Sequence, residues 1–214
     1  MTQARLAAPP GRAGRIWLVR RLETARRGAD LLGRKLRILE AELVQRQATA
    51  AQTAARWDQR QAEARAWLLR AALLGGEQAI RLADDGQAVD VTISYESTMG
   101  IRYPSSAVCS MAVARTWDGP VMAETRQAHR SALAAAAEHA AAAAAVDVLS
   151  DEVRTTRYRL RAVEDRWIPR LQQALADVTF TLEELERTDA ARLRLAVARP
   201  AAGSSGKADG SESA

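Results

Sequence analysis

The chain has 214 residues and carries 31 Lys plus Arg against 26 Asp plus Glu, a formal charge of +5. Hydrophobic residues make up 48%, but five Trp, three Tyr and one Phe are the only aromatic residues, and much of the apolar content is alanine. Because alanine buries little area per residue, this composition argues against a thick globular core and favours a thin, elongated fold. The single cysteine, Cys109, excludes an internal disulfide and a thiolate metal cluster.

The positive charge is concentrated at the N-terminal end. Residues 1–50 hold 11 basic and four acidic side chains, and nearly all the basic ones are arginines. Such an asymmetry is typical of chains that bind nucleic acid, an acidic membrane surface or an acidic protein partner. A solvated helix face gives the same count, so charge alone does not choose among these interpretations.

A heptad pattern follows a short N-terminal lead. Residues 1–11 contain Pro9, Pro10 and Gly11 and are expected to be flexible. Apolar residues then recur at alternating spacings of four and three, a repeat that makes helices pair in a left-handed coiled coil. Gly75 and Gly76 end the pattern, which predicts a first coiled-coil helix over residues 12–74. Its apolar positions are Leu18, Leu22, Ala25, Ala29, Leu32, Leu36, Leu39 and Leu43.

The next segment, residues 75–121, is predicted to be a strand-rich insert. Val89, Val91, Ile93 and Tyr95 alternate with polar residues, which is the period of a strand. We expect a β-hairpin over about residues 88–113. A short hairpin inserted in a coiled coil either docks a partner or caps the end of the coil, and the sequence leaves both open.

The helical period returns in residues 122–199, which are predicted to form the second coiled-coil helix. The steps from Trp167 to Leu171 and on to Leu175 are both four, a stutter that locally relaxes the supercoil. Pro169 lies inside this stutter and should kink the helix, because it removes one backbone hydrogen bond. Residues 200–214 read as a disordered polar tail. The predicted seam residues are Leu160, Val163, Trp167, Leu171, Val178, Leu182 and Leu185.

These elements predict a mainly α fold, a long antiparallel two-helix coiled coil with a small insert that contains a β-hairpin. With the insert at the turn, the two helices of one chain can pair only antiparallel. Pairing within the chain is favoured by its high effective concentration. The alternative is that each helix pairs with another copy of the chain.

Motifs for catalysis or ligand binding are missing from the sequence. There is no phosphate-binding loop, since GSSGK at 203–207 has the wrong spacing. His129 and His139 lie ten residues apart and belong to no zinc motif. Cys109 has no neighbouring residue that would activate it as a nucleophile. We therefore expect no catalytic, cofactor-binding or metal-binding residues.

The sequence also argues against insertion in a membrane. The longest stretch without a formal charge, residues 103–114, is too short to cross a bilayer. The N-terminus has no apolar core of a secretory signal. These features predict a soluble, intracellular protein.

Two segments resemble the D subunit of the V-type/A-type ATP synthase. The first is residues 20–39, which resembles the opening helix of that family, and the second is residues 160–197, which resembles its closing helix. In the second segment the most specific element is Ile168-Pro169-Arg170-Leu171, preceded by Ala162 and Glu164 and followed by an acidic run at 182–187. The matching residues of the first segment are Arg20, Arg21, Leu22, Ala25, Gly28, Leu31, Leu32, Lys35 and Leu39.

The resemblance implies a non-catalytic subunit that forms the central rotor stalk and transmits torque between ATP chemistry and ion translocation. It implies four kinds of partner: the catalytic A and regulatory B subunits of the ATPase ring, the small F subunit of the central stalk, and the subunit that caps the membrane rotor ring. It also implies a cytoplasmic protein attached to the membrane only through the complex, with no nucleic-acid partner and no cofactor.

The arginines suggest where such a stalk would meet the ring. Our hypothesis is that six of them form the tip that inserts among acidic loops, since arginine makes charge-assisted contacts with carboxylates. A basic coiled-coil scaffold and a nucleic-acid-binding protein are the competing functions. The six residues are Arg12, Arg15, Arg20, Arg21, Arg192 and Arg194.

Overall fold

The computed structural model describes residues 9–83, 88–111 and 119–198. The predicted tail over 200–214 and most of the predicted lead lie outside these ranges. The chain divides into two compact units, residues 1–29 with 161–214 (unit 1) and residues 30–160 (unit 2). The mainly α fold with an antiparallel coiled coil and a two-stranded β-hairpin insert is confirmed.

Helix α1 runs from Gly11 to Ala83 and contributes to both units. Gly76 interrupts it with φ 69° and ψ 172°, a conformation outside the helical region that residues with a Cβ rarely adopt. The sequence placed the end of this helix at the same glycine pair. The chain is helical again after Gly76 and the helix ends at Ala83, since residues 77–83 contain no proline or glycine that would interrupt it.

Helix α2 runs from Pro120 to Arg161. Proline suits the first position of a helix, since its missing N–H would have no partner there. The N–H groups of Met122 and Ala123 donate to the carbonyl of Gly119 at 2.9 and 3.0 Å and form the first turn. The helix buries mostly small side chains, which lets the paired backbones approach closely; they include Ala128, Ala135, Ala141, Ala142 and Ala145.

One helical stretch, Pro120–Val197, contains a segment long and apolar enough to cross a membrane by length and composition. The longest charge-free run lies elsewhere, because Glu138 interrupts the mostly apolar residues 131–146 of this helical stretch. This segment is 28% buried within the structure. Packed helices of water-soluble proteins meet the same criterion, and no membrane insertion is shown.

A π-helix, Ala162–Trp167, separates α2 from helix α3, Ile168–Ala198. The N–H of Ile168 donates to the carbonyl of Val163, five residues back, in place of the usual four. Pro169 explains the wider turn, since its ring would clash with the carbonyl of Asp165 in a regular helix. The sequence predicted a stutter here but not a π-helix, and the kink at Pro169 stays a prediction.

Unit 1 is built where the start of α1 packs on α3. Leu18 and Leu171 are fully buried and Leu22 nearly so. The antiparallel direction follows from Arg12, near the start of α1, which pairs with Glu186 in the second half of α3, while Leu18 and Leu22, further along α1, pack on Leu171 near the start of α3. The side chains packed around this core are Trp17, Ala25, Trp167, Ile168, Ala174, Leu175 and Val178.

Unit 2 contains the second core, to which α1, α2 and the hairpin all contribute. Tyr103 from the hairpin is 1% exposed and lies among aliphatic side chains of both helices. Burying a large aromatic ring in this way stabilises the attachment of the hairpin to the helices. The aliphatic members of the cluster are Leu36, Leu39, Ala145, Leu149 and Val153, with Leu43, Ile101 and Leu160 packed against them.

The hairpin consists of strand β1, Asp90–Thr98, and strand β2, Ile101–Ser110. Met99 and Gly100 form its two-residue turn, and both have positive φ, 52° and 81°. Positive φ at both positions matches a type I′ turn, which suits the twist of an antiparallel pair. Ser94 pairs with Ser106 and Tyr95 with Pro104, so Ser105 of β2 has no partner and forms a bulge.

Ion pairs link α1 and α2 within unit 2. Lys35 Nζ lies 2.8 Å from Glu152 Oε1, and both side chains are mostly buried. Arg56 and Glu138 form an exposed pair at 2.8 Å. The hydrogen bond from Lys35 lowers the pKa of Glu152 below its ordinary value, against the smaller, opposite effect of partial burial. The charged carboxylate therefore stabilises unit 2.

We expect Glu152→Gln to reduce the free energy of unfolding at pH 7 by about 1 kcal/mol, because a charge-assisted hydrogen bond is lost. A carboxylate with a lowered folded pKa stabilises the protein above its unfolded pKa of about 4.3, and this contribution disappears as the pH falls through the folded value. Urea unfolding at pH 7 and at successively lower pH should show a difference between variant and parent that is largest at pH 7 and shrinks as the carboxylate becomes protonated.

The control for Glu152→Gln is Asp151→Asn, which removes an exposed pair with Arg154 on the same helix. Exposed pairs contribute little, so this variant should unfold like the parent at every pH. A deficit of Glu152→Gln that does not shrink as the pH falls would contradict the proposed role of the ionised carboxylate.

Candidate functional site

A polar network holds the hairpin against α1; we call it the hairpin latch, comprising Glu42, Arg46, Glu96, Thr98 and Tyr103. The Tyr103 hydroxyl donates to Glu42 Oε1 at 3.0 Å and accepts from Arg46 Nη2 at 3.3 Å. The Thr98 hydroxyl lies 3.0 Å from the same phenol oxygen. Arg46 also donates to Glu96 at 2.8 Å. The buried phenol is thus satisfied from both sides.

Arg46 is the centre of the hairpin latch. Its guanidinium lies 5.1 Å from the centroid of the Tyr103 ring and donates to Glu42 at 2.7 Å. Burial alone would lower the pKa of Arg46, but the hydrogen bonds and charges of Glu42 and Tyr103 outweigh it and raise the pKa. Arg46 therefore remains a fixed cation that orients the hairpin.

The hairpin presents its two strands differently. In β2, Tyr103 and Ala107 are buried against the helices. In β1 every residue except Thr98 is exposed, including the apolar residues Val91 and Ile93. One strand thus anchors the hairpin while the other leaves apolar side chains available to a partner.

The six predicted tip arginines all lie in unit 1 and are all exposed. Arg12 pairs with Glu186 at 2.8 Å, and Arg192 lies 3.5 Å from Asp189 on its own helix. Three of them, Arg12, Arg15 and Arg20, line one surface depression of unit 1 that also contains Glu23, Glu183 and Glu186. Arg21 lies apart from this set, beside Trp17 and Trp167.

The other two, Arg192 and Arg194, lie on the last turns of α3. Because Glu186 pairs with Arg12 close to the first residue of α1, residues 187–198 extend past the described start of α1. Residues 191–197 are all exposed. The end of α3 therefore presents both arginines and the apolar residues Leu193, Leu195 and Val197 to the solvent.

A pocket of about 390 Å³ opens on unit 1 beside the π-helix. The guanidinium carbon of Arg21 lies near two indoles, 5.2 Å from the centroid of Trp17 and 5.5 Å from that of Trp167. Such contacts hold a guanidinium by cation–π attraction. We call it the cation–aromatic pocket, lined by Trp17, Arg20, Arg21, Thr24, Ala25 and Trp167.

The seam residues predicted from the heptads differ in burial. Leu185 is the exposed one, at 54%; it lies in the second half of α3 beside Glu186, which pairs with Arg12 at the described start of α1. Leu18, Leu22, Leu36, Leu39 and Leu171 are buried. The half-buried ones are Leu32, Leu43, Leu160, Val163, Trp167, Val178 and Leu182.

The family model of the ATP synthase D subunit matches residues 16–198. This chain belongs to that family. It is also 29% identical over 193 residues to the V-type ATP synthase D subunit of Anaeromyxobacter dehalogenans, a match that covers 86% of this chain and 92% of the relative. The matched region contains both cores, the hairpin and the cation–aromatic pocket.

The Cys and His side chains of this D-subunit family member make contacts within the described residues. No group of three His, Cys, Asp or Glu residues that could hold a metal ion occurs in residues 9–83, 88–111 and 119–198. Cys109 is half-buried, with Sγ 3.8 Å from the carbonyl of Leu133. His139 stacks on Trp57 and lies 3.3 Å from the Thr53 hydroxyl, while His129 contacts the carbonyl of Thr125.

The sequence did not predict the hairpin latch or the cation–aromatic pocket of this family member. The spacing of Trp17 and Arg21, four residues apart on one helix, was a usable signal for their contact. The partner Trp167 gave no such signal, since it comes from a distant segment. The hydrogen bonds of Tyr103 could not be predicted either, because its partners Glu42 and Arg46 lie on α1, far from Tyr103 in the sequence.

Proposed function

We propose that this protein is the central-stalk rotor of a V-type ATPase or ATP synthase and transmits torque between the A/B catalytic ring and the membrane rotor. The observation that carries the proposal is the family match over residues 16–198, on a chain whose two ends pack together as antiparallel helices. The chain itself performs no chemistry in this proposal.

Packed helix pairs suit the transmission of torque. In unit 1 the buried leucines of α1 and α3 interlock, and in unit 2 the pairs Lys35–Glu152 and Arg56–Glu138 link α1 to α2. Close-packed side chains resist shear, since each displacement breaks many contacts at once. A twisting force on one helix is therefore passed to its partner.

The exposed arginines of unit 1 supply the contacts that we assign to the A and B subunits of the ring. Arg12, Arg15, Arg20 and Arg21 on α1, with Arg192 and Arg194 on α3, present cations that suit acidic loops. Such contacts favour one conformation of a ring subunit over another only if they differ between conformations.

The remaining partners in this proposal are the small F subunit and the subunit that caps the membrane rotor ring. The exposed residues of β1, among them Val91, Ile93 and Tyr95, offer an apolar surface that suits a partner better than water. The protein would then sit on the cytoplasmic side of the membrane, held there by its complex.

We expect replacement of all six tip arginines by glutamine to reduce ATP hydrolysis coupled to rotation by at least roughly tenfold, since losing about 1.4 kcal/mol of charge-assisted contact in total is enough for a tenfold change in rate. The measurement is ATP hydrolysis and ion pumping by the assembled complex, with helical content checked by circular dichroism.

A matched variant removes six exposed arginines of unit 2 and leaves the tip intact. It changes the net charge equally, so it should retain coupling if position matters. Unchanged rate and coupling in the tip variant would contradict the assigned contacts, and failure to copurify with large ATPase subunits would contradict the function. The control positions are Arg34, Arg37, Arg60, Arg65, Arg154 and Arg159.

A further inference from the structure

We propose that the cation–aromatic pocket is a binding site for a carboxylate side chain on an acidic segment of a ring subunit, and that Arg21 is the residue that binds it. This inference rests on the proposed function and deepens it. Of the six tip arginines it singles out Arg21, and it names a carboxylate as the group that Arg21 binds.

The charge of the pocket points to an anion. Its charged lining residues are the two arginines, Arg20 and Arg21, and none of its six lining residues is acidic. Within the described ranges neither guanidinium takes part in an ion pair, whereas nearby Arg12 and Arg27 are paired with Glu186 and Glu23. Arg20 also lines a neighbouring depression that contains Glu23, Glu183 and Glu186. The attraction for an external carboxylate therefore rests on Arg21, which lies in the pocket whose lining has no acidic residue.

The two indoles prepare Arg21 for this role. Its guanidinium lies 5.2 Å from the Trp17 centroid and 5.5 Å from the Trp167 centroid, so both rings restrict its movement. A guanidinium presents its N–H donors in a planar fork that fits a carboxylate with two parallel hydrogen bonds. Restricting the cation in advance reduces the entropy lost on binding.

The construction of the pocket favours a carboxylate over a phosphate. Its walls are side chains from the interior of α1 and from the end of the π-helix, with no glycine among the lining residues. Phosphate sites usually add backbone N–H groups from a glycine-rich loop or a helix start. The indoles would also pack on the methylene groups of an Asp or Glu side chain.

The cation–aromatic pocket lies on one face of unit 1, so the proposed contact depends on the angular position of the stalk. The π-helix places Trp167 against Arg21, so this site exists on one face of unit 1. A stalk that turned inside a ring of similar subunits would offer the pocket to them one at a time. Each angular position would therefore favour a different subunit, as a rotary mechanism requires.

The first test uses the full chain and a fluorescently labelled octaglutamate peptide at low salt, with binding followed by anisotropy. Arg21→Gln should weaken binding at least about threefold more than Arg26→Gln, an equal charge change at an exposed position on the same helix. Arg21→Lys should give an intermediate loss, since it keeps the charge without the fork.

Equal losses for Arg21→Gln and Arg26→Gln would overturn the proposal, because they would show binding to general positive charge. Displacement of the peptide by millimolar inorganic phosphate, with phosphate affinity lost in Arg21→Gln, would also overturn it in favour of a phosphate site.

The second test uses the assembled complex with a photo-crosslinking amino acid in place of Thr24, which lines the pocket. We expect a crosslink to a ring-subunit segment that contains Asp or Glu, with at least a fivefold smaller yield when Arg21→Gln is added. A complex that assembles but gives an unchanged yield overturns the site and leaves the rotor function standing. A chain that does not assemble with ATPase subunits overturns the function itself.

Discussion

Tyr103→Ala should destabilise unit 2 by about 3–5 kcal/mol, the cost of removing a buried aromatic ring and leaving a cavity. The ring is 1% exposed and packs on Leu36, Leu39 and Leu149. Its removal also breaks the hairpin latch, so the hairpin should detach before the helices unfold. Urea unfolding followed by circular dichroism measures the first effect, and limited proteolysis within β1 measures the second.

Tyr103→Phe separates the ring from the hydroxyl. It keeps the buried area and loses the bonds to Glu42 and Arg46, so we expect a cost of about 1 kcal/mol. Tyr158→Ala is the matched control for Tyr103→Ala, since the Tyr158 side chain is 71% exposed. The Tyr158→Ala variant should unfold like the parent. If Tyr103→Ala were as stable as Tyr158→Ala, the hairpin would not be part of the core.

This outcome bears on the role of the hairpin. Deleting residues 88–113 would remove Tyr103 and Ala107 from the core along with the exposed strand, so it would mix loss of stability with loss of docking. Substituting exposed residues of β1, such as Val91 and Ile93, leaves the anchor intact. Such variants test the docking interpretation without disturbing the anchoring strand.

Leu171→Ala should cost unit 1 about 2–5 kcal/mol, because Leu171 is fully buried and packs against Leu18 and Leu22. The site follows the π-helix directly, so the cavity would also loosen the support of Trp167. We expect the fluorescence of the full chain to change at a lower urea concentration than in the parent, since Trp17 and Trp167 lie at this core.

Leu193→Ala makes the same chemical change on the same helix at a position that is 67% exposed. It should shift the transition little, as exposed substitutions usually do. Equal destabilisation by Leu171→Ala and Leu193→Ala would mean that the end of α3 is covered in solution and would contradict the packing of unit 1.

Periodicity made much of the fold predictable. The four-three spacing that includes Leu18, Leu22 and Leu39 marks buried positions because a helix repeats its faces locally. The alternation of apolar and polar residues from Val89 to Tyr95 predicted β1, because successive side chains of a strand point to opposite faces. Gly75 and Gly76 were read as a helix end, and the structure breaks α1 at Gly76, because glycine tolerates positive φ.

Features that depend on distant contacts were not predictable in this way. Pro169 signalled a distortion, but whether the chain kinks or widens into a π-helix depends on the packing of neighbouring residues. The exposure of Leu185 follows from where its partner helix starts, which the heptads do not encode. The cation–aromatic pocket needs Trp167 beside Arg21, a pairing of segments far apart in the sequence.

The choice of arginine over lysine on the first turns of α1 has a consequence for working conditions. A guanidinium does not lose its proton at any pH that a cell reaches, so acidification or alkalinisation near the membrane leaves this surface fully positive. Dissolved ions, in contrast, shield exposed charges over distances of about 10 Å at 0.1 M. Contacts made by Arg12, Arg15 and Arg20 should therefore weaken as the ionic strength rises, and any dependence on acidity should come from the carboxylates of the partner.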